Sequence, residues 1–536
     1  MASRAAGGTA ATARPGMAGL IEDSIRRAPD RIALGVAGGG MRLSYRELGR
    51  LVRALASRLT EAGINRADPI GIYCDNRPEF VLALLAAWTT GAVAVPIDPE
   101  LTGVEVHTRL AAVDAKAVLL AHHLRESYPA DADARPAWVI DIDAARAEVA
   151  VTDVRHGHGV DRTAPSPARA TPGGGPGDAD APAVLLFTTG STGTPKIVPL
   201  THANLAASVA GILSAYHLGP DDATLVIMPL FHGHGLIAGL LATLASRGAA
   251  HLPAGGRFSA HLFWDETADA KATWYTAVPT VHQILLARAD TDYPADAPPP
   301  LRFIRSCSAP LAPAVLHRTR ERFGAPVIPA YGMTETAHQA TSNPLPPDGA
   351  CKDASVGHPT GLELRVTTAH GTPAAVGETG EVHVRGPALT GGYLNDPQAT
   401  AAAFTDGWFR TGDLGHLDSD GYLFLSGRTK DLINRGGEKI APHTVEAVLL
   451  AHPAVQDALA FAVPDAKYGE EINAAVILRP RGHTTQADLQ QHCRARLSDF
   501  EIPKRIHFLD RFPRTAKGDS DRRALAAELT RDQPAS

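Results

Sequence analysis

At 536 residues the chain exceeds what one compact hydrophobic core supports, so two or more domains are expected. Apolar residues make up 44% and charged residues 20%, the balance of an ordinary globular protein. The formal net charge of -6 removes any electrostatic case for nucleic acid or an anionic membrane surface as partner.

Residues 1–18 are rich in Ala, Gly and Arg but lack the apolar segment of a signal peptide, and are read as a flexible leader. No stretch is apolar and long enough for a membrane span. Cys74, Cys307, Cys351 and Cys493 are scattered without CxxC spacing, which points to reduced thiols in a cytoplasmic protein rather than a disulfide framework or zinc site.

In chain order, Ser44 and Glu47 form a capping-box pattern, and Leu48, Leu51, Val52, Leu55 and Leu59 recur on one helical face. Residues 70–74 and 92–97 read as strands on either side of an apolar helix over 80–88. This alternation predicts α/β layers. Residues 156–182 are Pro/Gly/Ala-rich and are expected to be a surface connection before a strand at 183–187. Thr201 is placed to start the next helix. A boundary falls near residues 427–431. Beyond it, strands at 458–463 and 474–478 and helices at 443–450 and 485–497 suit a small α+β domain.

The most informative segment is Leu186-Phe-Thr-Thr-Gly-Ser-Thr-Gly-Thr-Pro-Lys196. Its glycines permit close backbone approach to a polyanion, and its hydroxyls donate to phosphate oxygens. The spacing is not that of a Walker A loop, which ends Gly-Lys-Ser/Thr at a helix start. Further segments follow in order: Pro229-Leu-Phe-His-Gly-His-Gly235, Ser306-Cys-Ser-Ala-Pro310, Tyr331-Gly-Met-Thr-Glu335, Gly392-Tyr393, Trp408-Phe-Arg-Thr-Gly-Asp-Leu414, Gly427-Arg-Thr-Lys-Asp431 and Asn434-Arg-Gly-Gly-Glu-Lys-Ile440.

Together these motifs resemble the adenylate-forming superfamily of acyl-CoA synthetases, peptide-synthetase adenylation domains and luciferases, over residues 43–525. The resemblance implies a large N-terminal AMP-binding domain of layered α/β sheets (19–427), a hinge (428–431) and a small mobile α+β C-terminal domain (432–536). It implies a nucleotide site built from Thr188, Thr189, Ser191, Thr192, Lys196, Ser308, Ala309, Pro310, Tyr331, Gly332, Met333, Thr334, Asp413 and Arg428. Asp413, acceptor-only when ionised, suits the ribose hydroxyls, and Tyr331 offers a flat face to adenine. Thr334 would meet the α-phosphate, and Glu335 a Mg²⁺ ion if ATP is used. His232 is read as a gate to the acyl pocket; with no third ligand at useful spacing, the His232/His234 pair is not read as a metal site. Lys430 marks the hinge, and Arg435, Gly436, Gly437 and Glu438 line a CoA tunnel. CoA, acyl-AMP and AMP are the implied ligands, with a carrier protein as an alternative acceptor. Amino-acid-specific relatives carry an aspartate where this chain has Phe231-His-Gly-His-Gly, which argues against an α-amino acid. Gly233, Gly235, Gly239 and Ala309 are expected to leave room for a bulky acyl group.

One departure stands out. The family pattern Pro-x-Thr-x-x-Gly-Lys supplies a lysine that bridges carboxylate and α-phosphate during adenylation. Here the chain reads Pro513-Arg-Thr-Ala-Lys-Gly-Asp519, and Arg522 to Leu525 fix the register beyond it. Asp519 therefore occupies the lysine position. Two unit charges at about 4 Å interact with about 4 kcal/mol at an effective dielectric of about 20. Placed on a barrier, a few kcal/mol is roughly a thousandfold in rate. The expectation is an enzyme limited to thioesterification, supplied with acyl-adenylate by a partner ligase. This division resembles the non-adenylating acyl-CoA ligases of platensimycin and platencin biosynthesis, secondary-metabolite enzymes that take a diterpenoid acid. The alternatives are a complete ligase using Lys517, displaced by about 6–7 Å along an extended chain, or a non-catalytic binding protein.

Overall fold

The computed structural model describes residues 16–129, 135–143, 148–154, 178–188, 195–514 and 520–531. The capping-box helix runs Tyr45–Glu61. The Ser44 hydroxyl accepts from the Glu47 N–H (3.2 Å), and the Glu47 carboxylate accepts from the Ser44 N–H (2.8 Å). Leu48, Leu51, Val52, Leu55 and Leu59 are its buried stripe. Thr201 closes a matching box with Asn204 at the start of the His202–Tyr216 helix. The helix Pro78–Thr90 is apolar on nearly every side and ends on Gly91 at φ 79°. Such a helix must be covered all round. It packs on the strands Pro69–Tyr73 and Val93–Ile97, on the Tyr45–Glu61 helix and on the strand Ile32–Val36 of a second sheet.

Seven described strands form the first sheet, with Ala117–Ala121, Pro69–Tyr73 and Val93–Ile97 parallel at its centre. One edge is the antiparallel pair Pro182–Thr188 and Lys196–Thr201. The second sheet has a parallel half that includes Ala223–Leu225, Trp274–Ala277, Phe303–Ser306 and Val327–Tyr331. It continues antiparallel through Thr341–Ser342, Ser355–Pro359, Leu423–Arg428 and Trp408–Leu417. The largest apolar core lies between these two sheets.

After Arg428 a single turn, Thr429–Asp431, leads into a small α+β unit. Its strands Ile433–Arg435, Glu438–Ile440, Val455–Asp465, Gly469–Leu478 and Ile506–Phe508 form one sheet. The helices Pro442–Leu450 and Gln486–Arg494 cover it around Val445, Leu449, Ile472, Leu489 and Cys493. The layered α/β fold with a small C-terminal domain thus matches the expectation. At the N-terminus a helix begins at Met17, fully buried, so the last two residues of the expected leader belong to the fold. The connection expected over 156–182 lies outside the described residues up to 177. All four cysteines are free thiols. No helix among the described residues is long and apolar enough to cross a membrane.

Candidate active site

The candidate site lies at the carboxyl ends of the parallel strands Trp274–Ala277, Phe303–Ser306 and Val327–Tyr331, where the strand ends of an α/β sheet characteristically hold ligands. Asp413 faces Arg428 across the antiparallel pair Trp408–Leu417 and Leu423–Arg428, and is only 3% exposed. Arg428 Nε donates to its Oδ1 at 2.7 Å, and the Tyr331 hydroxyl donates to its Oδ2 at 2.5 Å. Burial, reinforced by the Asp413 charge, holds the Tyr331 hydroxyl well above its ordinary range, so it stays a donor. A carboxylate offers about four acceptor positions, so Asp413 retains capacity for a vicinal diol. The Tyr331 ring belongs to the cluster of Leu362, Val382 and Val384, and the residue is 7% exposed. The contribution visible here is its hydroxyl.

Thr188 and Lys196 pair across the hairpin that carries the phosphate-loop motif, which explains its departure from Walker A geometry: a strand follows it, not a helix. Thr189, Ser191 and Thr192 lie outside the described residues. Lys196 Nζ sits 4.4 Å from the centre of the Tyr393 ring, and the Tyr393 hydroxyl donates to Glu335 Oε1 at 2.8 Å. Lys196, Tyr393 and Glu335 are therefore one cluster. Thr334 and Glu335 share a short turn after Gly332 and Met333. A Cβ on Gly332 would lie 1.6 Å from the His338 carbonyl oxygen, so only glycine fits that crossing. Among the described residues no group of three or more His, Cys, Asp or Glu forms a metal centre. Glu335 still fits Mg²⁺, which takes one or two carboxylates together with substrate oxygens.

Ser308, Ala309 and Pro310 follow the Phe303–Ser306 strand, with Ser308 at φ 74°. That left-handed backbone is uncommon outside glycine and is a feature of functional sites. The Ser308 hydroxyl faces His234 Nδ1 at 3.1 Å, and His234 Nε2 meets the Thr276 hydroxyl at 2.6 Å. Below them lies Arg305, fully buried, and beside them His338 at φ 78°. His234 opens a π-helix, His234–Leu241. The π-helix is rare, and where it occurs it is frequently at functional sites. His232, the expected gate, is half-buried with its ring edge-on to Phe231 at 4.7 Å. The cluster takes in His234, two residues further on.

The small residues expected to leave room on the acyl side differ in what lies beside them. The space a Cβ would need at Gly235 holds the Met228 and Pro229 carbonyl oxygens (2.1 and 2.4 Å). At Gly239 it meets Val226 at 3.0 Å, and at Gly233 the His338 Cβ at 3.4 Å. Gly235 and Gly239 thus let segments pack closely, whereas the contact at Gly233 is an ordinary one.

In the C-terminal unit, Gly436 and Gly437 form a tight hairpin turn with φ of 60° and 102°, between Arg435 and the exposed Glu438. Arg435 Nε donates to Glu471 Oε1 (2.5 Å), and its guanidinium lies 4.4 Å from the Tyr468 ring centre. Lys430 is exposed in the turn between the domains. Lys517 and Asp519 lie outside the described residues.

Sequence reasoning missed Arg305, His338, Thr276, Tyr216 and Gln339. Every residue of Phe303–Ser306 is buried, so alternation cannot single out Arg305. A charge within an otherwise inward-facing strand was the available signal.

Residues 21–394 match the AMP-binding enzyme family, and residues 444–519 match the AMP-binding enzyme C-terminal domain. The oxalate–CoA ligase of Arabidopsis thaliana is 44% identical over 95% of this chain and 98% of its own. The sulfoacetate–CoA ligase of Cupriavidus necator is 36% identical over 95% and 97%. A crystal structure of ATP-bound MatB from Rhodopseudomonas palustris superposes with a TM-score of 0.81 at 28% identity, covering 96% of this chain and 99% of that one. The chain belongs to the AMP-binding enzyme family and is an acyl-CoA ligase of the adenylate-forming type.

Proposed function

We propose that this ligase makes the CoA thioester of a short carboxylic acid carrying a second anionic group, with oxalate as the reference substrate, and that its adenylation half-reaction is slow. The observation that carries the substrate reading is the polar end of the acyl side, where Ser308, His234 and His338 surround a buried Arg305. Hydrogen-bond donors in that place suit an anionic tail and disfavour an apolar one. The two curated relatives named above act on oxalate and sulfoacetate, each a small acid with two acidic groups. The packing at Gly235 and Gly239 argues against a diterpenoid acid.

In this reading Asp413 and Arg428 hold the ribose, and Lys196, Thr334 and Glu335 attend the phosphates. Glu335 is the residue to hold Mg²⁺, whose positive charge would offset the charge gathering on the phosphate oxygens. A carboxylate oxygen attacks the α-phosphorus and pyrophosphate leaves. The CoA thiolate, brought in beside Arg435, Gly436, Gly437 and Glu438, then attacks the carbonyl carbon and AMP leaves. Orientation supplies much of the second step. Asp519, at the place of the family lysine, sets a negative charge against the first. The segment 513–519 closes the C-terminal family match, which supports the register behind that assignment. A complete ligase using Lys517 is the competing reading, favoured by the 44% identity to an oxalate–CoA ligase.

Paired half-reaction assays decide between them. ATP–pyrophosphate exchange with an acid panel headed by oxalate and sulfoacetate reports adenylation. Acyl-AMP plus CoA, followed by mass spectrometry of the thioester, reports transfer. Weak exchange that rises roughly a thousandfold in Asp519→Lys, with transfer unchanged, is the expected result. Strong exchange by the unaltered protein, lost in Lys517→Ala, would establish the complete ligase instead.

A further inference from the structure

Arg305 is fully buried, yet among the described residues none of its partners is a carboxylate. Nε donates to the Tyr216 hydroxyl (3.0 Å), Nη2 to Gln339 Oε1 (2.9 Å), and Nη1 to Thr276 Oγ1 (3.0 Å) and His338 Nε2 (3.2 Å). Nη1 also lies 3.4 Å from His234 Nε2. A buried guanidinium without a counter-charge is costly, so its retention calls for a task.

A guanidinium has donors and no acceptor, so an imidazole nitrogen facing it must present its lone pair. His338 Nε2 faces Nη1 directly. His234 Nε2 lies 3.4 Å from the same Nη1, and with its lone pair turned there it accepts the proton of the Thr276 hydroxyl, whose oxygen accepts from Arg305. In both rings the proton is left on Nδ1. His234 Nδ1 then donates to Ser308 Oγ, which frees the Ser308 proton for a ligand. The two rings lie nearly parallel, with centroids 4.7 Å apart and planes at 24°. The groups acting electrostatically on these imidazoles are Arg305, His282 and His232, with Tyr216 and Cys307 on the guanidinium. Burial, the neighbouring His338 and Arg305 together hold His234 well below the ordinary imidazole range, and burial with Arg305 does the same for His338.

We propose that Arg305 is a positioning residue that holds His234 and His338 as the tautomers protonated on Nδ1, so that His338 and Ser308 meet the anionic tail of the acid as donors. The inference rests on the substrate reading above. It adds that the specificity of the pocket is set one layer below the surface a ligand touches.

The test uses the full chain with AMP bound, titrated calorimetrically with oxalate from about pH 5.5 to about 8.5. The unaltered protein is expected to bind with a flat pH profile. Arg305→Gln is expected to bind about tenfold or more weakly, because the two rings lose the donor that fixes which nitrogen carries the proton. Arg305→Lys keeps the charge and loses the fork, so it should weaken binding with a flat profile. Heteronuclear spectra of histidine-labelled protein, assigned with His234→Gln and His338→Gln, read the tautomers without any ligand. Nε2 protonation in the unaltered protein, or unchanged oxalate binding by a folded Arg305→Gln, would overturn the proposal. Absence of oxalate binding with Nδ1 tautomers intact would instead remove the substrate reading and leave the positioning role standing.

Discussion

At Asp413, donors from two strands converge on one carboxylate, and the interaction is charge-assisted on the Arg428 side. Asp413→Asn removes the negative charge and exchanges one acceptor oxygen for an amide donor, which either opposes Arg428 or makes the Tyr331 hydroxyl turn to accept. A hydrogen bond to a charged group is worth about 1.5–3 kcal/mol. AMP affinity is accordingly expected to fall roughly tenfold to a hundredfold, measured by titration calorimetry. Unchanged affinity would show that the ribose is held elsewhere. Asp413 and Arg428 were legible as residues because their motifs run contiguously in the chain. Arg305 was not, since its guanidinium finds partners on segments as distant as residues 216, 276 and 339.

Among elements, the turn after Val327–Tyr331 bears the closest tolerance. The chain doubles back at Gly332 so tightly that the His338 carbonyl occupies the place of a side chain. Gly332→Ala must push apart the nucleotide-side Tyr331 and the acyl-side His338 together. Its cost is expected to reach the upper part of the about 1–3 kcal/mol range of overpacking. Thermal melting should show a drop of several degrees, against little change for Gly219→Ala, where nothing lies within 4 Å of the added carbon. Equal melting temperatures would mean the turn yields. The Tyr45–Glu61 and His202–Tyr216 helices were readable because a capping box is local chemistry over four residues. The π-helix at His234–Leu241 was not, because it depends on Met228 and Pro229 carbonyls meeting Gly235.

For the whole molecule, buried histidines dominate the response to acid. Burial lowers His202 and His251 to about 4 and His282 to about 3. A base depressed in the folded state binds its proton more readily when unfolded. Stability is therefore full above the ordinary histidine value near 6.5 and is lost as the pH falls below it. Each such proton contributes a slope of about 1.4 kcal/mol per pH unit within that window. Asp457, raised to about 6 chiefly by burial, works in the opposite sense between its unfolded value and 6, and offsets about one of these protons. Urea midpoints are expected to decline from pH 6.5 toward 4.5. A flat profile over that range would mean the histidines charge without unfolding the chain. Asp457 also faces Gln283 of the large domain, so its burial depends on how the two domains sit.

By itself, the sequence determined the class of chemistry. Helix caps, the glycines and hydroxyls expected to meet phosphate, and Asp519 where the family pattern has lysine are short-range patterns, carried by neighbours along the chain. Only the tertiary structure decided how the residues expected on the acyl side pack. Gly233, Gly235 and Gly239 mean space in a sequence, and in the fold they mean contact with His338, Met228, Pro229 and Val226. His234, Ser308, Arg305 and His338 become one polar cluster only when the parallel strands and the turn after Tyr331 bring their ends together. Hydrogen-bond direction and burial are properties of that convergence, and no single segment contains them.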